Sequence, residues 1–176
     1  MKKNVLTVLT LFLITSMSGL LLSFVNGFTS ERIEKNNIAK IEKIAKEVFD
    51  DTNRVEIIEL DGEIVVKKIE CYDANEQVCG YLYQANGSNS FGSVNLLVSV
   101  KGEEVVRVDF LSLNQSYGKI AKTHVEETYN GSTHLAFSDV NDVNVKCGAS
   151  ESAKLIKSLV LECIKVHGWY LWKINY

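Results

Sequence analysis

Residues 64–113 read IVVKKIECYDANEQVCGYLYQANGSNSFGSVNLLVSVKGEEVVRVDFLSL, and this stretch decides the fold. It consists of runs rich in β-branched and aromatic residues, which favour β-strands. Turn-forming segments separate the runs, notably Asp73–Glu76 and Lys101-Gly102. Connections this short join antiparallel neighbours in a sheet. The predicted strands are Ile64–Tyr72, Val78–Ala85, Val94–Val100 and Val105–Leu113.

The segments outside this stretch add helices to the predicted sheet. Apolar residues recur at helical spacing in Glu31–Phe49, Lys119–Tyr129 and Ser150–His167, with Gly168 as the expected end of the last helix. Two further strands are predicted, Val55–Leu60 and Trp169–Tyr176. The pattern predicts an α+β domain, with a largely antiparallel sheet and flanking helices.

The first thirty residues predict a membrane anchor. Val5–Val25 is a run of 21 mostly apolar residues, about 30 Å of helix and enough to cross a bilayer. Lys2 and Lys3 precede it, so the positive-inside rule places the N-terminus in the cytoplasm and the remainder outside the cell membrane. A cleaved signal peptide is the alternative. We therefore expect an anchor at 1–28, an amphipathic connecting helix at 29–53 and an extracytoplasmic domain at 54–176.

Composition and charge exclude several classes of protein. The 176 residues are 46% hydrophobic and 23% charged, which is typical of a globular chain. The net charge of −3 leaves no basic excess for a nucleic-acid partner. The sequence contains one long apolar stretch, so it is not a multi-pass transporter. The three His residues are scattered, and Cys147 and Cys163 lack metal-ligand spacing, so no metal site is predicted.

Two cysteines flank a predicted hairpin turn. Cys71 and Cys79 are separated by YDANEQV, whose centre favours a turn between paired strands. In an oxidising compartment the two sulfurs are candidates for a disulfide. Two separate thiols are the equally weighted alternative.

Three glycine-containing loops are the candidates for ligand binding. They are Ala85–Ser93, Asn114–Gly118 and Asn144–Ser152. The third leads directly into the last predicted helix, and a helix N-terminus offers unpaired N–H groups and a positive dipole end to a phosphate. Ordinary capping of the helix by Ser150 explains the same residues without a ligand.

The order and spacing of these loops over Ile64–Val166 resemble the FMN-binding domain of the Rnf/Nqr type. That family comprises small extracytoplasmic flavoprotein subunits of ion-pumping redox complexes and related exported flavoproteins. The resemblance lies in KKIECYDANEQVCGYLYQA, NSFGSVNLLVSV, EEVVRVDFLSLNQSYGKIA and VKCGASESAKLIKSLV. The last three are similar to the family's Gly-Tyr-Gly-Gly-like loop, Glu-Thr-Pro-Gly loop and Ser/Thr-Gly-Ala-Thr motif. The resemblance implies FMN as cofactor and multi-pass redox-complex subunits as partners.

Site residues follow from this resemblance. Gln115–Gly118 stands where the family has Glu-Thr-Pro-Gly, and Asn144 stands at an aspartate position. The family's flavin transferase joins the FMN phosphate to a threonine, so Ser150 is the candidate for covalent attachment. The implied cofactor-binding residues are Gly92, Gln115, Ser116, Tyr117, Gly118, Cys147, Gly148, Ala149, Ser150 and Ser152.

Aromatic and basic side chains in or beside the same loops have two interpretations each. Phe91 and Tyr117 are candidates to stack on the flavin ring, with loop packing as the alternative. Lys119 and Lys122 could balance the phosphate charge, with simple solvation as the alternative. A flavin carries its own redox chemistry, so the protein needs only to hold and orient it.

These observations lead to three hypotheses of function. The first is a membrane-anchored, extracytoplasmic FMN-binding protein that takes part in electron transfer. The second is an exported binding module of the same fold whose flavin site has decayed. The third is a disulfide-stabilised surface protein.

Overall fold

The computed structural model describes residues 2–174, so Met1, Asn175 and Tyr176 lie outside the described residues. Helix α1 (Lys2–Val48) is followed by five long strands, two short helices and a long final helix. The elements after α1 are β1 (Arg54–Glu59), β2 (Val65–Tyr72), β3 (Val78–Asn89), β4 (Gly92–Lys101), β5 (Glu104–Gln115), α2 (Gly118–Thr128), β6 (Leu135–Ala136), α3 (Phe137–Val140) and α4 (Ser150–Ile174).

The chain divides into two units, Met1–Ile41 and Glu42–Tyr176. The first unit is helical, and α1 carries the one stretch of the described chain that is long and apolar enough to cross a membrane. Its apolar side chains between Val5 and Val25 are exposed, as lipid-facing residues of a span are. The predicted single N-terminal helix of membrane-spanning character is therefore confirmed.

The second unit contains one six-stranded sheet in which every neighbouring pair is antiparallel. The strands follow one another in the order β1-β2-β3-β4-β5-β6, which is a simple meander. The predicted α+β class with a largely antiparallel sheet is confirmed. Short hairpin connections produce this order because each strand can pair at once with the strand that precedes it.

One face of the sheet forms the main core with α2 and α4. Tyr83, Ala85, Leu96 and Val98 alternate with residues of the other face and are fully buried. The apolar stripe of α4 packs on them through Ile156 and its neighbours at helical spacing. A glycine permits this close approach, since a Cβ on Gly87 would lie 2.9 Å from Leu159 Cδ2.

The end of α1 and the turn after it pack on the opposite face. Phe49 is buried against Gly80, where a Cβ would lie 2.3 Å from the ring. Glu47 forms an ion pair with Arg107 at 3.1 Å, and Arg107 also binds Asp109 at 2.8 Å. The sheet is thus covered by helical residues on both faces.

The prediction of a loop over Ala85–Ser93 is wrong for most of that segment. Residues 86–89 pair with residues 92–95 as the end of the β3–β4 hairpin, so a two-residue turn, Ser90-Phe91, connects the strands. Gly92 has φ +132°, and a Cβ there would lie 1.8 Å from the carbonyl oxygen of Asn114. The Gly, Ser and Asn residues indicated a loop, but the ladder with β4 and β5 keeps the backbone extended.

The prediction for the C-terminus is also wrong. Residues 169–174 continue α4 instead of forming a strand, and Gly168 lies within the helix. The alternation of aromatic residues in this segment is compatible with either structure, and an isolated glycine lowers helix stability by only about 1 kcal/mol. The short elements β6 and α3 were not predicted.

Candidate functional site

The three predicted loops converge on one cleft. It is lined by Phe91 of the β3–β4 turn, by Tyr117 of the β5–α2 turn, and by Gly148–Ser152 at the start of α4. Its volume is about 240 Å³. The rings of Phe91 and Tyr117 are 6.4 Å apart at their centroids and inclined by 56°. Because the meander places the β3–β4 and β5–α2 turns at the same end of the sheet, these side chains meet in space.

Hydrogen bonds fix the first two turns to each other and to α4. The backbone N–H of Ser116 donates to the carbonyl of Phe91 at 3.0 Å. The side chain of Asn89 accepts from the N–H of Phe91 at 2.9 Å and donates to the carbonyl of Glu151 at 3.2 Å. Asn89 therefore links the hairpin to the first turn of α4.

A second link joins the β5 end to α4 through Gln115. Ser152 Oγ donates to Gln115 Oε1 at 2.7 Å, and Ser152 is buried. Gln115 Nε2 is also buried, and no described residue accepts a hydrogen bond from it. Reversing the amide leaves its other end without a partner, so the side chain has unused hydrogen-bonding capacity in either orientation.

The start of α4 differs from the predicted capping arrangement. The carbonyl of Ala149 accepts the first helical hydrogen bond, from the N–H of Ala153 at 3.0 Å. Ala149 therefore occupies the N-cap position, and Ser150 is the first residue inside the helix. Alanine has no side-chain acceptor for the free N–H groups of the first turn. The capping alternative for Ser150 is thus wrong, and Ser150 lines the cleft instead.

Charge near the cleft is largely balanced. Glu151, which also lines the cleft, forms an ion pair with Lys154 at 2.6 Å. Lys119 and Lys122 line an adjoining cleft of about 560 Å³ together with Gln115 and Tyr117. The helix dipole adds a field that favours an anion at the start of α4.

Five predicted site residues lie outside the cleft lining: Gly92, Gln115, Ser116, Gly118 and Cys147. Gly92 is enclosed by Asn114 and serves the strand geometry, while Gly118 is the first residue of α2 and packs near Leu113. Cys147 lines a separate cleft of about 610 Å³, where Lys146 and His124 are among its neighbours. The cleft lining brings together five predicted residues, namely Tyr117, Gly148, Ala149, Ser150 and Ser152. Gln115 accepts a hydrogen bond from Ser152, and Ser116 donates to the carbonyl of Phe91.

Sequence reasoning missed two residues of the site. Asn89 was treated as part of a loop, although an Asn side chain commonly accepts from the backbone N–H two residues further on. Glu151 was not predicted as a site residue, but its backbone carbonyl accepts a hydrogen bond from Asn89. The short spacing between Asn89 and Phe91 was the available signal for the first of these contacts.

The cysteine pair lies away from the cleft, on β2 and β3. Cys71 and Cys79 are thiols in this structure, and Cys79 Sγ donates to the carbonyl of Cys71 at 3.3 Å. Burial raises the pKa of Cys71 to about 12, with a further contribution from the nearby Cys79. The two residues are neighbours across the hairpin, and their disulfide stays a prediction.

The described cleft can hold a small anionic or polar group. It offers the N–H groups at the start of α4 that Ala149 leaves uncapped, together with Ser150. Its rim carries two aromatic rings. No protein-family model matches the chain, and no curated protein matches it in sequence.

Proposed function

We propose that this chain is a membrane-anchored, extracytoplasmic FMN-binding protein that takes part in electron transfer. The observation that carries the proposal is the meeting of Phe91, Tyr117 and the first turn of α4 in one cleft. These are the segments on which the resemblance to the FMN-binding family depends. When bound, FMN supplies the electron-transfer chemistry, and the protein holds and orients it.

The residues present suit the phosphate end of FMN. Backbone N–H groups at the start of α4 are uncapped by Ala149, and the hydroxyl of Ser150 stands beside them. Gln115 supports the site indirectly, because its side chain accepts from Ser152 and so fixes the end of β5 to the first turn of α4. Ser150 also offers the nucleophilic oxygen that esterification to phosphate requires.

Two exposed aromatic rings suit the flavin end. Phe91 is 38% exposed and Tyr117 is 53% exposed, although both are large and mostly apolar. Exposed aromatic side chains beside an anion-binding helix start are suited to stacking on a planar ring. Hydrogen bonds from Ser116 to the carbonyl of Phe91 hold the two turns in place, so little ordering would be needed on binding.

The topology proposed for the chain follows from its N-terminus. Lys2 and Lys3 precede the apolar run, which favours a cytoplasmic N-terminus and an extracytoplasmic second unit. Protease added to intact protoplasts should then remove the second unit and leave the anchor. Full protection of the chain from that protease would contradict this orientation.

Flavin binding is tested with the full chain in detergent and two serine variants. Ser150→Ala should weaken FMN binding about tenfold or more, since a charge-assisted hydrogen bond contributes about 1.5–3 kcal/mol. Ser158→Ala is the matched control, because Ser158 is exposed on the same helix and donates to its own helix at Leu155. Flavin fluorescence during titration measures both. Equal, tight FMN binding by wild type and Ser150→Ala would show that the phosphate of FMN does not bind at Ser150.

Attachment is tested separately, by intact mass before and after denaturation. If a flavin transferase esterifies Ser150, the added mass survives unfolding in the wild type and is absent from Ser150→Ala. If FMN is held without a covalent bond, the added mass is lost on denaturation. Ser150→Thr should raise the covalent fraction when the transferase is present, because threonine is the family's residue.

The size of the cleft favours a second candidate, an exported binding module without flavin. A volume of about 240 Å³ lies below the roughly 300–1,000 Å³ of most small-molecule sites. A phosphate-sized anion would fit without movement of Phe91 or Tyr117. No flavin absorption in the purified chain, together with inorganic phosphate binding that Ser150→Ala abolishes, would support this second candidate over the first.

A further inference from the structure

A buried histidine lies at the other end of α4 from the candidate site. His167 is 1% exposed and sits about 25 Å along the helix axis from Ser150, at about 1.5 Å per residue. Three aromatic rings meet it edge-on, with centroid distances of 5.2 Å to Tyr81, 5.6 Å to Tyr83 and 5.8 Å to Phe137. The ring therefore joins α4 to β3 and to the start of α3.

Both ring nitrogens have partners, and the partners determine the protonation state. Nε2 lies 3.1 Å from the carbonyl oxygen of Gly102, in the turn between β4 and β5. A carbonyl can only accept, so Nε2 must carry the hydrogen. Nδ1 lies 2.9 Å from the hydroxyl of Tyr83, which then donates to it. A neutral imidazole therefore satisfies both contacts. A second ring proton, on Nδ1, would point at the hydrogen that Tyr83 donates.

The net effect of the surroundings is to disfavour a charged ring. Burial lowers the pKa of His167, the nearby cation of Lys68 on β2 lowers it further, and the bond to Gly102 acts in the opposite direction. Lys68 is itself buried and paired with Glu70 at 2.8 Å. Among the described residues, the other groups that contact the ring are the phenols of Tyr81 and Tyr83 on β3, the phenyl ring of Phe137 and the carbonyl of Gly102 in the β4–β5 turn.

We propose that His167 is a pH-sensitive latch, which holds the C-terminal part of α4 against β3 and the β4–β5 turn and releases it when the medium becomes acidic. A released histidine has an ordinary pKa of about 6.5. Because the docked ring prefers to be neutral, docking is fully stable above that value and loses stability as the pH falls below it. The latch is independent of whether FMN binds at the other end of the helix.

Hydrogen exchange of the full chain in detergent tests the latch. Exchange is compared at pH 7.5 and pH 5.5 after correction for the intrinsic rates. Wild type should lose protection at pH 5.5 in residues 160–169 and in the β4–β5 turn, while β2–β3 peptides away from the ring keep theirs. His167→Gln should show equal protection at both pH values, because glutamine can donate to Gly102 and does not titrate. His134→Gln is the matched control and should respond like wild type, since His134 is exposed and contacts only Glu104 at 3.3 Å among described groups.

A second measurement does not depend on how well the glutamine variant folds. Carbon-13 labelling of histidine allows each ring of the wild type to be titrated by NMR. The ring of His167 should titrate below the ordinary histidine value of about 6.5. Titration of His167 at or above that value would overturn the proposal, and so would unchanged protection of residues 160–169 at pH 5.5.

Discussion

Removing the hydroxyl of Ser152 should destabilise the protein although it deletes one atom. Ser152 is 2% exposed, and its Oγ donates to Gln115 Oε1 at 2.7 Å. In Ser152→Ala the Gln115 amide loses this donor while its Nε2 already has no partner among described residues. A buried polar atom left unsatisfied costs about 1–3 kcal/mol, so we expect a loss of about 2 kcal/mol in the free energy of unfolding.

A double-mutant cycle isolates the interaction. Gln115→Leu removes the unpartnered amide nitrogen together with the acceptor oxygen, and the Ser152 hydroxyl left behind can donate to a carbonyl of its own helix. We therefore expect Gln115→Leu to lower the free energy of unfolding by less than Ser152→Ala does. The double variant should be no less stable than Ser152→Ala alone. The resulting coupling energy should be about 1–2 kcal/mol, within the range of residues in direct contact.

Guanidinium unfolding of the full chain in detergent, followed by far-ultraviolet circular dichroism, measures these differences. Ser158→Ala is the control on the same helix and should change stability by less than about 0.5 kcal/mol, because Ser158 is exposed. A Ser152→Ala variant as stable as this control, with additive effects in the double variant, would refute the link between β5 and α4.

Two further predictions concern backbone geometry. Gly92→Ala should lower the free energy of unfolding by at least about 2 kcal/mol, because the φ of Gly92 is +132° and the added Cβ would lie 1.8 Å from the oxygen of Asn114. Gly102→Ala should lower it by only about 1–2 kcal/mol, because Gly102 has φ +61° and open space around the added Cβ. Equal losses for the two variants in denaturant unfolding would contradict this reasoning. Asn130→Ala should lower the free energy of unfolding by about 1–3 kcal/mol and increase hydrogen exchange at Val108. The Asn130 side chain accepts from the N–H of Val108 at 2.8 Å and donates to its carbonyl at 2.9 Å. Unchanged exchange at Val108 would show that other contacts protect this part of β5.

The strands were predictable where local sequence and tertiary context agree. Runs such as Val94–Val100 combine β-branched residues with neighbours of the same kind, so propensity and burial favour the same backbone. The turn at Asp73–Glu76 was predictable for the same reason, because Asp73 Oδ1 accepts from the N–H groups of Asn75 and Gln77 and thereby forms the turn by itself. Contacts of this kind need no distant residue.

Prediction failed where distant contacts override local preference. The segment 86–89 is poor in strand-forming residues, yet it is extended because β4 pairs with it and α4 packs over Gly87. Residues 169–174 alternate like a strand but continue a helix that His167 anchors to β3. The strands and helices that contact these two segments are distant in the sequence, so the local pattern could not identify the backbone conformation of either segment.

The sequence by itself determined the apolar N-terminal helix, the antiparallel sheet and the position of the last helix start, because each depends on periodicity and turn chemistry within a few residues. Only the tertiary structure decided which loop side chains meet. Phe91, Tyr117 and Ala149 lie far apart in the chain and come together because the meander turns two hairpin ends toward the start of α4. Only the packed molecule shows that Ala149 leaves the start of α4 uncapped and that the Gln115 amide has no acceptor among described residues. Whether a polar group has a hydrogen-bond partner depends on the whole fold and not on any one segment.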